Sequence, residues 1–150
     1  MGQIHHQIRI DAPIEHVFEL ACRADNRRQW NPYMEWWHLS GPVNSVGTTF
    51  DSMLDLMGQA TPSKAEVVEV APQRLIHIHE VAHRGTTDWC YRFVPDRDGT
   101  TFAIDVEYEI PGVINGVIDR LLFHGALDRA TRHMVDNFAA MVARKVPQPA

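Results

Sequence analysis

WCYRFVPDRDGTTFAIDVEY, residues 89 to 108, reads as two strands joined by a turn, and the fold is decided there. Trp89, Tyr91 and Phe93 share one parity; past Asp98-Gly99 so do Phe102, Ile104, Val106 and Tyr108. The alternates include Asp88, Arg92, Asp105, Glu107 and Glu109. A period of two means half-buried strands, because successive side chains on a strand point to opposite faces. Asp-Gly is hairpin chemistry, and a two-residue turn there pairs Arg97 with Thr100, hence Phe93 with Ile104 and Tyr91 with Val106. Both apolar rows then share a face.

Just upstream stands HEVAH, residues 79 to 83, a literal match to the H-E-x-x-H zinc-protease pattern, with His77 beside it. That pattern has a mechanism only on an α-helix, where positions four apart lie on one face. Wound as a helix, Gln73 to His83 would gather Leu75, Ile78, Val81 and Ala82 on one side. Context favours a strand: the segment is short, carries β-branched Ile76, Ile78 and Val81, lacks an N-cap and precedes hairpin spacing. On a strand His79 and His83 lie about 13 Å apart, too far for one zinc ion. His77 and His79 do share a face, but no third ligand can be placed, so no metal and no cofactor is expected. If Arg84-Gly85 is a two-residue turn, His83 pairs with Thr86, Ile76 with Phe93, Ile78 with Tyr91 and Glu80 with Trp89. Glu80 then faces inward; a three-residue loop would turn the histidines inward instead.

Working outward, Thr48 to Ile110 breaks into strand-length segments at Gly58 to Pro62, Ala71 to Arg74, Arg84-Gly85 and Asp96 to Gly99, an antiparallel meander. Ile4, Ile8 and Ile10, with His6 on their parity, make a first strand ending at Asp11. Pro13 to Ala24 reads as a short helix placing Val17, Phe18, Ala21 and Cys22 on one side. An aromatic knot follows, Trp30-Asn31-Pro32-Tyr33 with Trp36-Trp37. From Val113 to Lys145 the pattern is helical, but Ile114, Val117, Ile118, Leu121 and Leu122 point one way and Phe123, Leu127, Ala130, Met134, Phe138 and Met141 the other. One straight helix cannot bury both faces, so a break near His124-Gly125 is expected, with Asp128, Arg129, Arg132 and Asp136 on the wet face. The tail 146–150 should be loose.

These elements make an α+β domain spanning 1–150, about six to seven strands curling around a long C-terminal helix. With 150 residues, 45% of them hydrophobic, the chain can close one core. A net charge of -5 offers no basic stripe for phosphates, so no nucleic-acid partner is expected. No apolar run approaches the roughly 20 residues that cross a bilayer, and the start MGQIHHQIRID lacks a signal peptide's basic and apolar regions. No membrane insertion and a cytoplasmic location are expected. Cys22 and Cys90 lie in no C-x-x-C and read as small buried thiols.

The chain resembles the START-like (SRPBCC) superfamily, with its polyketide cyclase/dehydrase and lipid-transport group. The resemblance lies in Ile10-Asp11-Ala12-Pro13 with Val17-Phe18, then Trp30-Asn31-Pro32, Val46-Gly47-Thr48-Thr49-Phe50, Pro72-Gln73-Arg74-Leu75, Gly99-Thr100-Thr101-Phe102 and Ile110-Pro111-Gly112. It implies a helix-grip fold with a hydrophobic cavity between sheet and C-terminal helix. Known members bind lipids, sterols, polyketides, plant hormones or quinones, and only some catalyse. The cyclases often set an arginine or another polar group on a cavity-facing strand; Thr48 to Met57 holds no arginine.

The expected function is therefore binding, transport or sequestration of a hydrophobic or aromatic small molecule. An alternative is a cyclase or dehydratase using a pocket Glu or Tyr, with Glu80 as the candidate acid or base. A metal-dependent hydrolase using the HEVAH histidines is the remote third. Cavity walls are expected from Trp30, Tyr33, Phe50, Leu54 and Ile78 around Glu80. The hairpin would add Trp89, Tyr91, Phe93, Phe102, Ile104, Val106 and Tyr108, and the helix Leu127, Met134 and Phe138. Gly112 to Leu122 is a candidate gate, or else a helix end packed on a neighbouring loop or subunit; a homodimer is the candidate assembly.

Overall fold

The computed structural model describes residues 2–83, 85–110 and 117–145, with the backbone alone at 117–119. Seven strands, β1 (Gly2–Ile10), β2 (Met34–Trp37), β3 (Thr49–Leu56), β4 (Gln59–Ala71), β5 (Leu75–Ala82), β6 (Gly85–Asp96) and β7 (Gly99–Glu109), form one sheet. The α-helices among the described residues are α1 (Ile14–Cys22), α2 (Arg27–Trp30) and α3 (Val117–Lys145). The sheet order is β1-β7-β6-β5-β4-β3-β2, antiparallel throughout. It is a meander whose first strand returns to lie beside the last. α3 crosses the sheet's inner face against β1 and β7, and α2 packs on α3. The architecture is the α+β helix grip expected.

Alternation builds the core. Ile4 and Ile10 of β1, Trp89, Tyr91 and Phe93 of β6, and Phe102, Ile104 and Val106 of β7 are all buried. Leu127, Met134, Phe138 and Met141 of α3 close on them. α1 starts after Pro13, whose fixed φ suits a helix entrance, and ends at Cys22 rather than Ala24; a 3-10 turn over Ala24–Asn26 leads into α2. β2, inside the aromatic knot, was not legible as a strand. It pairs Met34 with Leu54 and Trp36 with Ser52 at the sheet's edge.

Both hairpins turn one position earlier than expected. Asp96 pairs with Gly99, so Phe93 faces Phe102, Tyr91 faces Ile104 and Trp89 faces Val106. Likewise Ala82 pairs with Gly85, so Ile76 faces Tyr91, Ile78 faces Trp89 and Glu80 faces Thr87. Each partner slides by two residues, which preserves parity: every side chain keeps its expected face. Close passage of backbone explains the shift. A Cβ at Gly99 would sit 2.5 Å from the Ile10 carbonyl oxygen, and one at Gly85 2.2 Å from that of Glu109. Both glycines are needed in the strands, and Arg97 takes the left-handed turn conformation instead, at φ 58°.

Two further corrections concern turns. Gly58 to Pro62 is no loop: Met57 and Gly58, both left-handed (φ 55° and 73°), make the turn and β4 starts at Gln59. Pro62 sits in β4 beyond its last pair with β5, Ser63 with Ala82, where its missing N–H costs no ladder bond. No break occurs at His124-Gly125, since α3 runs through it. Breaking the helix would sacrifice backbone hydrogen bonds with no proline to demand it, so Leu121 and Leu122 stay exposed instead. Phe123 still turns inward, edge-on to Tyr108 at 5.2 Å. The first five residues of the segment read as a gate, 112–116, and the tail 146–150 lie outside the described residues.

Candidate functional site

Strand parity places Glu80 inside. It is 5% exposed on β5, and its Oε2 accepts the Trp89 indole N–H at 3.2 Å. Its Oε1 has no partner among the described residues. Burial pushes the Glu80 carboxyl up from the ordinary glutamate range, against the Trp89 N–H and the nearby Ser52 and Ser63 hydroxyls, which favour the charge. Tyr91, from β6, is 4% exposed with its hydroxyl unpartnered among the described residues. Burial raises that phenol far above its usual value; the Glu80 charge adds to the shift and Arg27 opposes it.

More polar atoms share this interior. Trp30 and Trp36 Nε1 and Asn31 Nδ2 are buried and lack partners among the described residues. Such atoms are costly, and each calls for an explanation such as a water or a ligand. Trp30, Trp36 and Tyr91 border one void of about 10 Å³, completed by Ala21, Val43, Ile76, Ile78 and Phe102. That is about the space one water molecule needs.

The cavity implied by the resemblance is therefore nearly closed. Aromatic rings fill it: Trp30 meets Phe138 edge-on at 5.3 Å and Tyr91 at 5.8 Å, and Phe102 lies 4.2 Å from Phe138. Phe18 of α1 seals one side against Phe93 at 5.1 Å, and Trp36 leans on Phe50 at 4.8 Å. A larger depression of about 520 Å³ lies open on the outer face of β3 to β5. None of its lining residues has an unpartnered buried polar atom, so chemistry points to the interior.

Of the residues expected to line a cavity, Trp30, Phe50, Ile78, Glu80, Trp89, Tyr91, Phe93, Phe102, Ile104, Val106, Leu127, Met134 and Phe138 are buried together. Leu54, Tyr33 and Tyr108 are only half-buried. The Tyr33 hydroxyl meets His133 Nδ1 at 2.7 Å and that of Tyr108 meets His124 Nδ1 at 2.7 Å, tying α3 to its surroundings. His6 and Asp128 add a third tie at 2.9 Å.

Ser52, Trp36 and Arg27 belong beside this set. Ser52 shares the parity of Phe50, a legible signal, whereas Trp36 became inward-facing only with β2. Arg27 carried none. Its guanidinium is buried, donates to the Asn31 carbonyl at 2.9 Å and to Glu35 at 3.1 Å, and lies 5.7 Å over the Trp36 ring.

HEVAH runs along β5 as a strand, with its histidines facing away from the interior. His77 Nε2 and His79 Nδ1 both bond Asp88 Oδ1, at 2.7 and 2.8 Å. Partial burial works against the Asp88 charge, but the two imidazoles outweigh it and hold its carboxyl below the usual range. Among the described residues no three ligating side chains are grouped to hold a metal ion. Cys22 and Cys90 are free thiols, and burial pushes Cys22 up to about 12, far from thiolate reactivity.

A curved antiparallel sheet gripping one long helix, with buried polar tips in an aromatic interior, defines a helix-grip protein of the START-like class. The chain belongs to the polyketide cyclase / dehydrase and lipid transport family, whose model matches residues 1–144. Membership supports hydrophobic-ligand binding or cyclase activity in general terms. A protein from Thermus thermophilus superposes with a TM-score of 0.78 at 16% identity, covering 97% of this chain and 100% of that one. A START superfamily protein from Mycobacterium smegmatis gives 0.71 at 15% identity, over 96% and 99%. Ara h 8.0201 gives 0.69 at 7% identity, over 96% and 99%. At these identities the likeness is one of fold. No curated protein matches the chain. No helix among the described residues is long and apolar enough to cross a membrane.

Proposed function

We propose that this chain binds a small hydrophobic or aromatic molecule between the sheet and α3. One observation carries the reading: Trp30, Trp36 and Tyr91, each with a buried polar atom lacking a partner among the described residues, border one void walled by aromatic rings. A core built only for stability would pair such atoms or replace them with apolar ones. The void admits no such ligand as it stands, so binding requires the wall to move. Trp36, only half-buried at the sheet edge, is the part of that wall nearest to solvent. Native mass spectrometry of the purified chain should find a retained small molecule, and aromatic probes should give saturable binding. A chain that retains nothing and binds no probe overturns the proposal.

A second reading is an enzyme of the cyclase or dehydratase kind. Glu80 favours it: a buried carboxyl whose burial opposes the charged form, with one oxygen lacking a partner among the described residues, has the character of a proton donor. Glu80→Gln separates the two. Turnover lost with affinity kept favours the enzyme, and unchanged ligand handling favours the binding protein. A hydrolase built on the histidines has no support, because they lie on the opposite face of the sheet from the interior.

A further inference from the structure

We infer that Tyr108 and His124 latch the entrance through which Glu80 is reached: the phenol ring closes the gap between β7 and α3, and its release opens the inner face of the sheet as far as Glu80. This rests on the reading that the interior receives a small molecule, and it assigns that molecule a way in.

The register lays out the path. Glu80 pairs with Thr87, Thr87 with Tyr108 and Tyr108 with Gly2, so the four make one row across β5, β6, β7 and β1. All share the inward parity, Thr87 with Trp89 and Tyr108 with Val106. Burial falls off along the row: Glu80 is buried, whereas Thr87 and Tyr108 are only half-buried. Tyr108 is the bulky outer member, and with its ring displaced only the small Thr87 stands between solvent and Glu80. Beyond Tyr108 lies an open depression of about 360 Å³, walled also by His124, Arg120 and Leu121. The hold on the ring is light. One hydrogen bond, from the phenol O–H to His124 Nδ1 at 2.7 Å, and the edge-on contact with Phe123 fasten it to α3. It lies across β1 where a side chain would stand, since a Cβ on Gly2 would overlap Tyr108 Cζ and its hydroxyl. The rings deeper inside are held differently: Trp30, Phe102 and Phe138 are buried and packed on one another, so moving any of them disrupts the core. Tyr108 swings about its own side-chain bonds, at the cost of one hydrogen bond and one ring contact.

The test reads solvent access at Glu80 directly. Hydrogen exchange of the Trp89 indole N–H, which donates to Glu80, is followed by NMR on the full chain with isotope-labelled tryptophan. Tyr108→Phe should speed this exchange about two- to tenfold, which is what one hydrogen bond contributes to an opening equilibrium. Gly2→Ala, which displaces the ring, should speed it at least as much. Tyr33→Phe is the control, because it removes the matching bond to His133 farther along α3 and should leave the Trp89 rate unchanged. A rate unmoved in either latch variant, or raised as much in Tyr33→Phe, overturns the latch; the second result would mean that Trp89 exchanges when α3 detaches as a whole. Exchange needs no ligand, so these outcomes stand apart from the ligand-binding reading, which the aromatic probes decide.

Discussion

Glu80 is where burial has its clearest consequence. Its carboxyl is pushed up from the reference value of 4.5, so above that pH the folded chain holds a proton that the unfolded chain releases. Stability therefore falls as pH rises from about 4.5 to the raised value, and changes no further from this group beyond it. Glu80→Gln retains an acceptor for Trp89 and cannot ionise. The variant should match the wild type near pH 4 and exceed it at pH 8, with Tm higher by about 2–4 °C for each kcal/mol recovered. Thermal unfolding at the two pH values checks this; a variant less stable at pH 8 would show that the charge is well solvated. Asp88 is the contrast. Its bonds to His77 and His79 lie on the outer face, and Asp88→Ala should cost no more than about 1 kcal/mol in urea unfolding.

Among the elements, α3 and the β6–β7 hairpin make opposed statements about glycine. Gly125 lies inside one continuous helix, and a Cβ there meets only the end of the flexible Arg129 side chain, at 3.3 Å. Gly125→Ala should therefore stabilise the chain by about 0.5–1 kcal/mol, whereas a helix broken at this point would be weakened by it. Gly99→Ala should cost about 1–3 kcal/mol, because its Cβ would lie 2.5 Å from the Ile10 carbonyl and one of the two strands must give way. Chemical denaturation of the pair reads both signs. Strand character was legible from alternation in β1, β5, β6 and β7. β2 was not, because its four residues sit in an aromatic-rich run with no clear alternation and become a strand only by pairing with β3.

For the whole molecule, the aromatic interior is both core and candidate site. Phe138, fully buried between Trp30 and Phe102, should cost about 3–5 kcal/mol when truncated to alanine, as read from urea midpoints at constant m-value. A bound ligand acts on the same equilibrium in reverse. At about 100 times its Kd it should raise stability by about 2.7 kcal/mol, visible as a concentration-dependent Tm. No such dependence for any probe would mean that the interior serves packing alone.

By itself the sequence determined periodicity. The alternation of residues 89 to 108 selected strands, the β-branched histidine segment carried HEVAH along a strand, and parity sent Glu80 inward with its neighbouring histidines out. These follow from local geometry, where a side chain's face depends only on whether its position is odd or even. The tertiary structure decided everything that depends on which surfaces meet. The close passes of Gly99 by Ile10 and of Gly85 by Glu109 set both registers. Continuous backbone bonding kept α3 whole and left Leu121 and Leu122 at the surface. Packing of α2 against α3 brought Arg27, an arginine with no periodic pattern around it, beneath Trp36. Contacts between distant segments leave no trace in local spacing, and the polarity of this interior is made of such contacts.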